Sequence, residues 1–182
     1  MGVGPGRLTF AEFLAYEAAQ EAKHELVDGI VVDFWGGGLR HAAIVSNLVA
    51  AIRPHLNAPR IVVGSDAIIP TLRGARHADI AVADLDEHHA DALVRAPILL
   101  IEVLSDATAV LDLTEKVSEY GALPALCEML LVDSRKRWVQ VLRRRGFEFE
   151  RSIAQIAGVV ELRALDVLLP LEIIYASTGV AA

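Results

Sequence analysis

The chain has 182 residues, a length that fits one domain with one hydrophobic core. Apolar residues make up 54% of the chain and charged residues 23%, which excludes a disordered acidic protein. The formal net charge is -7, so the electric field of the whole molecule repels a polyanion instead of attracting it.

The N-terminal segment of the chain contains one clear helix signal. Residues 1–7 are rich in glycine and form a loose end of a single domain that spans residues 1–182. Thr9 and Glu12 have the spacing of a capping box. In this motif the Thr9 hydroxyl accepts a hydrogen bond from the Glu12 backbone N–H, and the Glu12 carboxylate accepts one from the Thr9 backbone N–H. This pattern predicts a helix over about 10–22.

A hairpin and a second helix are predicted next. Asp28-Gly29 is a dipeptide that supplies the positive φ angles of a tight turn, and it divides residues 24–34 into two short extended runs. After the flexible glycines 36–38, apolar residues recur at helical spacing. They predict a helix over about 40–56.

The remainder of the chain predicts a sheet that is interrupted by one helix. Short runs rich in β-branched residues indicate strands. These strands are predicted at 61–63, 67–69, 79–83, 98–104, 126–132, 138–142 and 147–151. A helix is predicted over 108–121, and the tail at 159–175 is expected to pack on the core. The order of elements predicts an α/β (α+β) domain with a central mixed β-sheet flanked by helices.

Two acids stand in apolar strands. Period-two alternation places Glu102 on the same strand face as Leu100 and Leu104, and Asp79 opens another apolar strand. A buried carboxylate is costly unless a cation or several donors meet it. Two acids on neighbouring strands suit a hard divalent cation such as magnesium. The alternative is structural: Asp79 caps its strand, and Glu102 pairs with an arginine.

The helix after the second acid can supply a cation. Asp112, Lys116 and Tyr120 follow one another at intervals of four residues and therefore share one flank of the helix. Lys116 is thus expected to face the sheet. Two alternatives stay open: Asp112 and Lys116 form an ordinary surface pair, and Tyr120 is a packing residue whose hydroxyl is satisfied.

In chain order, these segments resemble the Uma2 family, also called DUF820, which belongs to the PD-(D/E)XK nuclease superfamily. The resemblance extends from about Leu8 to Tyr175. It rests on segments 24–29, 78–82, 101–105 and 130–133 together with His41, Lys116 and Tyr120. It implies a restriction-endonuclease-like fold.

The resemblance also implies a set of site residues. Asp79 and Glu102 correspond to the metal-binding acids, Glu25 to a third acid, and Lys116 to the superfamily lysine. In the wider superfamily this lysine lies two residues after the glutamate, where this chain has Leu104. The chain also has Ala78 where the family usually has proline.

The function implied by the resemblance is that of an endonuclease that hydrolyses phosphodiester bonds in DNA with magnesium, or with manganese in its place. His41 and Tyr120 are candidates for contacts with the substrate. Two alternatives remain: a catalytically silent fold that binds nucleic acid or protein, or a structural network of acids and Lys116 that has no ligand.

Two basic runs are candidates for contact with nucleic acid: Arg135–Arg137, which is followed by Trp138, and Arg143–Arg145. Each can hold a phosphate backbone or keep a charged turn solvated, and the sequence does not separate these roles. The acids and histidines of residues 84–91 are predicted to form a solvated loop and not a zinc site.

Composition also bears on location and assembly. The single cysteine, Cys127, excludes an intrachain disulfide and favours a cytoplasmic protein. The apolar runs are far shorter than the roughly 18 residues of a membrane helix, so no membrane contact is expected. The high apolar content favours a homo-oligomer, in the simplest case a dimer.

Overall fold

A computed structural model of the protein describes residues 6–34, 36–85, 92–105, 111–155 and 158–181, without the side chains of residues 111–113. The helices are α1 (Phe10–Glu17), α2 (Leu39–Ile52), α3 (Leu111–Gly121) and α4 (Leu171–Ile174). The strands are β1 (His24–Val27), β2 (Ile30–Asp33), β3 (Arg60–Gly64), β4 (Ile68–Thr71), β5 (Gly74–His77), β6 (Ile80–Asp84), β7 (Pro97–Leu104), β8 (Glu128–Asp133), β9 (Trp138–Arg145), β10 (Glu148–Gln155), β11 (Val159–Leu162) and β12 (Val167–Pro170).

A central six-stranded sheet has the strand order β10-β9-β8-β7-β6-β3. The pair β7 and β8 is parallel, and the other neighbouring strands in this sheet are antiparallel. A four-stranded sheet has the order β2-β1-β5-β4, and β11 pairs with β12. The predicted fold class, a central mixed sheet flanked by helices, is confirmed.

Both faces of the central sheet are covered. On one face, Ile44, Leu48 and Ile52 of α2 pack against alternate strand residues that include Leu99 and Ile101. On the other face, the core contains residues from β6, β7, β8 and α3; it includes Ala81, Leu100, Leu131 and Tyr120. The alternation predicted for β7 is confirmed, and it places Glu102 on the α3 face with Leu100.

The smaller sheet corrects one prediction. The strand expected at 67–69 was assigned to the central sheet, but β4 pairs with β5 in the four-stranded sheet. The sequence did not predict β5, because glycine, alanine, arginine and histidine do not form an apolar β-branched run. The structure therefore places Arg76 and His77 in a strand beside the hairpin of β1 and β2.

Two helices end earlier than predicted. The capping box of α1 is present, but α1 ends at Glu17, whose carboxylate accepts a hydrogen bond from the His24 backbone N–H at 2.8 Å. This contact fixes the start of β1. Helix α2 ends at Ile52 and continues as a 3₁₀ turn at Arg53–His55, which contains a proline that cannot donate to an α-helical hydrogen bond.

The hairpin turn can be compared with its prediction, whereas some other predictions concern residues that the structure does not describe. The hairpin turn has the expected positive φ angles, +50° at Asp28 and +84° at Gly29. The predicted helix start at residue 108, the side chain of Asp112 and residues 86–91 of the predicted loop lie outside the described residues. Within the described ranges, no helix is both long enough and apolar enough to cross a membrane.

Candidate active site

Two acids meet where β6 begins and β7 ends. The pairing of Ile80 with Ile101 brings Asp79, just before β6, beside Glu102 on the neighbouring strand. The Asp79 Oδ2 atom accepts a hydrogen bond from the Val103 backbone N–H at 2.7 Å. The side chains of Asp79 and Glu102 are only 10% and 12% exposed. The structure therefore holds two largely buried carboxylates on adjacent strands.

Lys116 of α3 supplies a cation to this pair of acids. Its Nζ atom lies 3.6 Å from Glu102 Oε1 and 2.9 Å from Glu25 Oε1. It also donates a hydrogen bond to the backbone carbonyl of His77 at 3.0 Å. Leu104 packs against the apolar cluster beneath α3. The cation therefore comes from the helix, and the strand position two residues after Glu102 is apolar.

Tyr120 lies one helical turn after Lys116 and contacts the same acid. Its hydroxyl donates to Glu102 Oε1 at 2.9 Å, and the residue is 1% exposed. Burial raises the pKa of Tyr120 well above its ordinary value, so the phenol stays protonated and remains a donor. Tyr120 thus orients Glu102, and a contact of Tyr120 with substrate stays a prediction.

Glu25 is part of an ion-pair network. Its Oε1 atom accepts from Lys116 and from the His77 backbone N–H, and its Oε2 atom accepts from Arg76 Nη1 at 2.9 Å. Arg76 also binds Glu119 Oε1 at 2.6 Å. Both oxygens of Glu25 are therefore engaged, and the geometry places this acid as an anchor for Lys116.

Sequence reasoning missed two members of this network. The sequence patterns single out neither Arg76 of β5 nor Glu119 of α3. Glu119 stands three residues after Lys116, so both side chains leave α3 on the same side. That spacing was a usable signal, whereas the contact of Arg76 with Glu25 depends on the pairing of β1 with the unpredicted strand β5.

The cluster shifts the ionisation of its members. Burial raises the pKa of Glu102 to about 7; Lys116 opposes this rise, and the nearby charges of Asp79 and Glu25 add to it. Burial disfavours the charged form of Lys116, but the carboxylates of Glu102 and Glu25 outweigh this effect and raise the pKa of Lys116. Lys116 is therefore a cation at neutral pH, while Glu102 titrates near neutrality.

The lysine holds Glu25 in its charged form. Burial opposes the ionisation of Glu25, but Lys116, the His77 backbone N–H and Arg76 together lower the pKa of Glu25. The ring of Phe34 closes one side of this arrangement. Its centroid lies 5.5 Å from Lys116 Nζ and 5.2 Å from the His77 ring centroid. Glu25 and Lys116 are thus both charged at neutral pH, and the Phe34 ring lies beside the ammonium.

His41, the first of the two candidates for substrate contact, reaches Asp79 from the start of α2. Its Nε2 atom lies 3.1 Å from Asp79 Oδ2. The hydrogen bond to Asp79 raises the pKa of His41. The preceding loop passes so close that a Cβ atom on Gly37 would lie 2.3 Å from His41 Cγ. Glycine at position 37 therefore permits the contact of His41 with Asp79, and a contact of His41 with substrate remains a prediction.

The donor set fits a magnesium ion better than a zinc ion. Within the described residues, no group of three or more His, Cys, Asp or Glu side chains is arranged to hold a metal. Structural and catalytic zinc sites need three or four such ligands, whereas magnesium is often held by one or two carboxylates and keeps several waters. Asp79 Oδ1 and Glu102 Oε2 accept no hydrogen bond from any described residue, so each acid has an uncommitted oxygen.

The fold is that of a restriction-endonuclease-like protein. A crystal structure described as a putative nuclease belonging to DUF820 from Anabaena variabilis ATCC 29413 matches it with a TM-score of 0.79. The match covers 94% of this chain and 99% of that chain, at 18% sequence identity. At this level of identity, the likeness establishes the fold.

The chain belongs to the Uma2 family. The family model, described as "Putative restriction endonuclease", matches residues 10–173. The chain is also 30% identical over 132 residues to the uncharacterized protein slr1290 of Synechocystis sp., and the match covers 70% of each chain. The family predicted from the ordered motifs is confirmed, and the description of the family model points to a nuclease.

Proposed function

We propose that this protein is a magnesium-dependent endonuclease that hydrolyses phosphodiester bonds in DNA, with manganese able to replace magnesium. The observation that carries the proposal is the position of Lys116 Nζ, 3.6 Å from Glu102 Oε1 and on the sheet face where Asp79 lies. A cation beside two acids of neighbouring strands combines the groups that phosphodiester hydrolysis needs.

Asp79 and Glu102 are the residues that would hold the metal ion. One oxygen of each acid is fixed by the protein, Asp79 Oδ2 by the Val103 backbone N–H and Glu102 Oε1 by the Tyr120 hydroxyl. The other oxygen of each remains available. Such fixed carboxylates favour binding because little side-chain freedom is lost when a ligand binds. When bound, magnesium would polarise the scissile phosphate and activate water.

Lys116 stabilises the negative charge that develops on the phosphate during hydrolysis. Glu25 and the His77 carbonyl hold the ammonium in place, so its charge does not have to reorganise during the reaction. Burial strengthens this interaction because the local dielectric constant is lower than that of water. Glu25 therefore acts as a positioning residue in this proposal.

The test measures cleavage of a supercoiled plasmid and of a labelled DNA duplex by the purified full chain with magnesium, and separately with manganese. Asp79→Asn and Lys116→Gln should each lower the cleavage rate by about 100-fold or more, the usual effect of removing one group that stabilises transition-state charge. Glu172→Gln, an exposed acid on α4, is the matched control and should cleave at the wild-type rate.

A second measurement separates the metal site from catalysis. Magnesium should raise the melting temperature of the wild type and of Lys116→Gln, but not of Asp79→Asn, because a ligand stabilises only the folded state that binds it. Equal cleavage by wild type and Asp79→Asn contradicts the assignment. DNA binding without cleavage by the wild type supports the alternative of a silent binding module.

Assembly into a homo-oligomer, expected from the apolar composition, stays a prediction. Sedimentation equilibrium over a range of protein concentrations measures it directly. A dimer mass that is constant over this range agrees with the prediction, and a monomer mass over the whole range contradicts it.

A further inference from the structure

The turn between β8 and β9, residues 134–137, lies at the same end of the central sheet as the candidate active site. Strands β7 and β8 are parallel, with Leu104 opposite Asp133. The Ser134 hydroxyl and backbone N–H both donate to the Leu104 carbonyl, at 2.6 and 3.1 Å. Standard strand spacing and rise place Ser134 roughly 11 Å from the Glu102 backbone.

This turn is positive in an acidic molecule. Residues 133–138 carry a formal charge of +2, although the whole chain carries -7. Arg135 pairs with Asp133 at 3.0 Å, and Lys136 Nζ lies 5.8 Å from the centroid of the Trp138 ring. Lys136 is exposed and Arg137 is half-buried. The turn is therefore a positively charged region of a protein whose net charge is negative.

Two of these charges have no carboxylate partner in the part of the chain that the structure describes. Neither Lys136 nor Arg137 forms an ion pair there. The Nε atom of Arg137 is buried and has no hydrogen-bond partner among these residues. An unpaired buried donor costs free energy, which a movement of the Arg137 side chain toward an arriving acceptor would recover.

The second basic run is different because each of its charges has a partner within the protein. Arg143 pairs with Glu128 at 2.8 Å, and Arg145 pairs with Glu150 at 3.1 Å. Arg144 donates to the carbonyls of Leu126 and Leu123, at 2.6 and 2.8 Å. This run stands at the other end of β9, about 24 Å from the first. The structure thus separates two runs that look alike in the sequence.

We propose that the turn at residues 134–137 binds the phosphate backbone of DNA beside the bond that is cleaved, through Lys136 and Arg137. This inference rests on the proposed function for the choice of DNA. The estimated 11 Å between Ser134 and the Glu102 backbone equals the axial rise of about three nucleotides in a duplex strand. Phosphate oxygens are also the acceptors that guanidinium and ammonium groups bind most strongly.

The test measures the binding of a fluorescently labelled DNA duplex by anisotropy, with a metal chelator present and over a range of salt concentrations. Log K falls linearly with the logarithm of the salt concentration, and each phosphate contact contributes about 0.9 to the size of this slope. The double variant Lys136→Ala/Arg137→Ala should therefore have a slope that is smaller in magnitude by about 1.8. If the two proteins bind DNA equally well at 1 M salt, the same relation makes the affinity of the double variant about 30-fold weaker near 0.15 M salt. Lys136→Glu, a single exposed change, provides a second variant with the same direction of effect.

The matched control is Arg145→Ala/Arg163→Ala, which removes the same amount of charge from two exposed arginines that pair with exposed acids. It should bind DNA with the wild-type slope. If the two double variants behave alike, or if the wild type does not bind DNA, the proposed surface is wrong.

The outcomes for this surface and for the nuclease are distinguishable. Metal-free binding that depends on Lys136 and Arg137, in a wild-type protein that never cleaves, supports the surface and contradicts the nuclease. Magnesium-dependent cleavage with unchanged KM in the Lys136→Ala/Arg137→Ala variant supports the nuclease and contradicts the surface.

Discussion

Replacing Glu102 with glutamine should stabilise the protein above neutral pH while it removes hydrolysis. The Glu102 side chain is 12% exposed, and burial raises its pKa from 4.5 to about 7. Glutamine has the same shape, still offers an oxygen to the Tyr120 hydroxyl and carries no charge. The substitution therefore isolates the cost of an ionised carboxylate at this position.

The magnitude follows from the two pKa values of Glu102. Between pH 4.5 and about 7, the folded wild type retains a proton that the unfolded chain has lost. Wild-type stability therefore falls as the pH rises through this window, and the loss is complete above the folded-state pKa. The difference between the two pKa values corresponds to about 3 kcal/mol. The glutamine variant lacks this dependence, so its advantage over the wild type grows by about 3 kcal/mol across the window.

The assay is urea unfolding of both proteins at several pH values between about 5 and 8, with a metal chelator present. The control is Glu172→Gln, in which the replaced acid is exposed and lies on α4. Its stability should differ from that of the wild type by the same small amount at every pH. Parallel stability curves for Glu102→Gln and wild type would refute the reasoning, because they would mean that Glu102 titrates equally in the folded and unfolded states.

Two further predictions concern the residues that hold the cluster in place. Arg76→Met removes the guanidinium that pairs with the buried carboxylates of Glu25 and Glu119, and it should lower the free energy of unfolding by about 3–5 kcal/mol, measured in urea. Arg76→Lys should recover part of this loss, and equal stability of all three proteins argues against the network. Gly37→Ala puts a Cβ atom 2.3 Å from His41 Cγ, so a shift is required there; we expect His41 to lose its contact with Asp79 and the pKa of His41 to fall toward its ordinary value. An NMR titration of His41 checks this, and an unchanged pKa means that the loop, and not the histidine, has moved.

The central acids could be predicted from the sequence because they break a local pattern. A charged residue in an apolar strand needs a compensating group, and the alternation of β7 already assigned Glu102 to one sheet face. The helical phase of Lys116 and Tyr120 predicted a shared flank, and the structure places both side chains on Glu102. These inferences use short-range periodicity, which a sequence contains directly.

The role of Glu25 could not be obtained in the same way. Its partner Arg76 is 51 residues away, and their contact depends on the pairing of β1 with β5. Strand β5 has little β propensity of its own, so tertiary contacts, and not local preference, decide its conformation. The two basic runs were ambiguous for the same reason, because whether an arginine is free depends on acids and carbonyls brought close by the fold.

The charge balance of the candidate site bears on how an acidic protein would act on the phosphodiester substrate that we propose. Asp79, Glu102, Glu25 and Glu119 supply four carboxylates, whereas Arg73, Arg76 and Lys116 supply three cations, so full ionisation of the acids with a neutral His41 leaves an excess of one negative charge. Such an excess is costly: burial is the main cause of the raised pKa of Glu102, and the charges of Asp79 and Glu25 add to it. A divalent cation carries the charge that removes this excess, and its binding would favour the ionised form of Glu102. Under the proposed function, part of the net charge of -7 belongs to a cluster that a bound metal ion would neutralise, so the net charge is a weaker argument against nucleic acid than it is in the sequence alone.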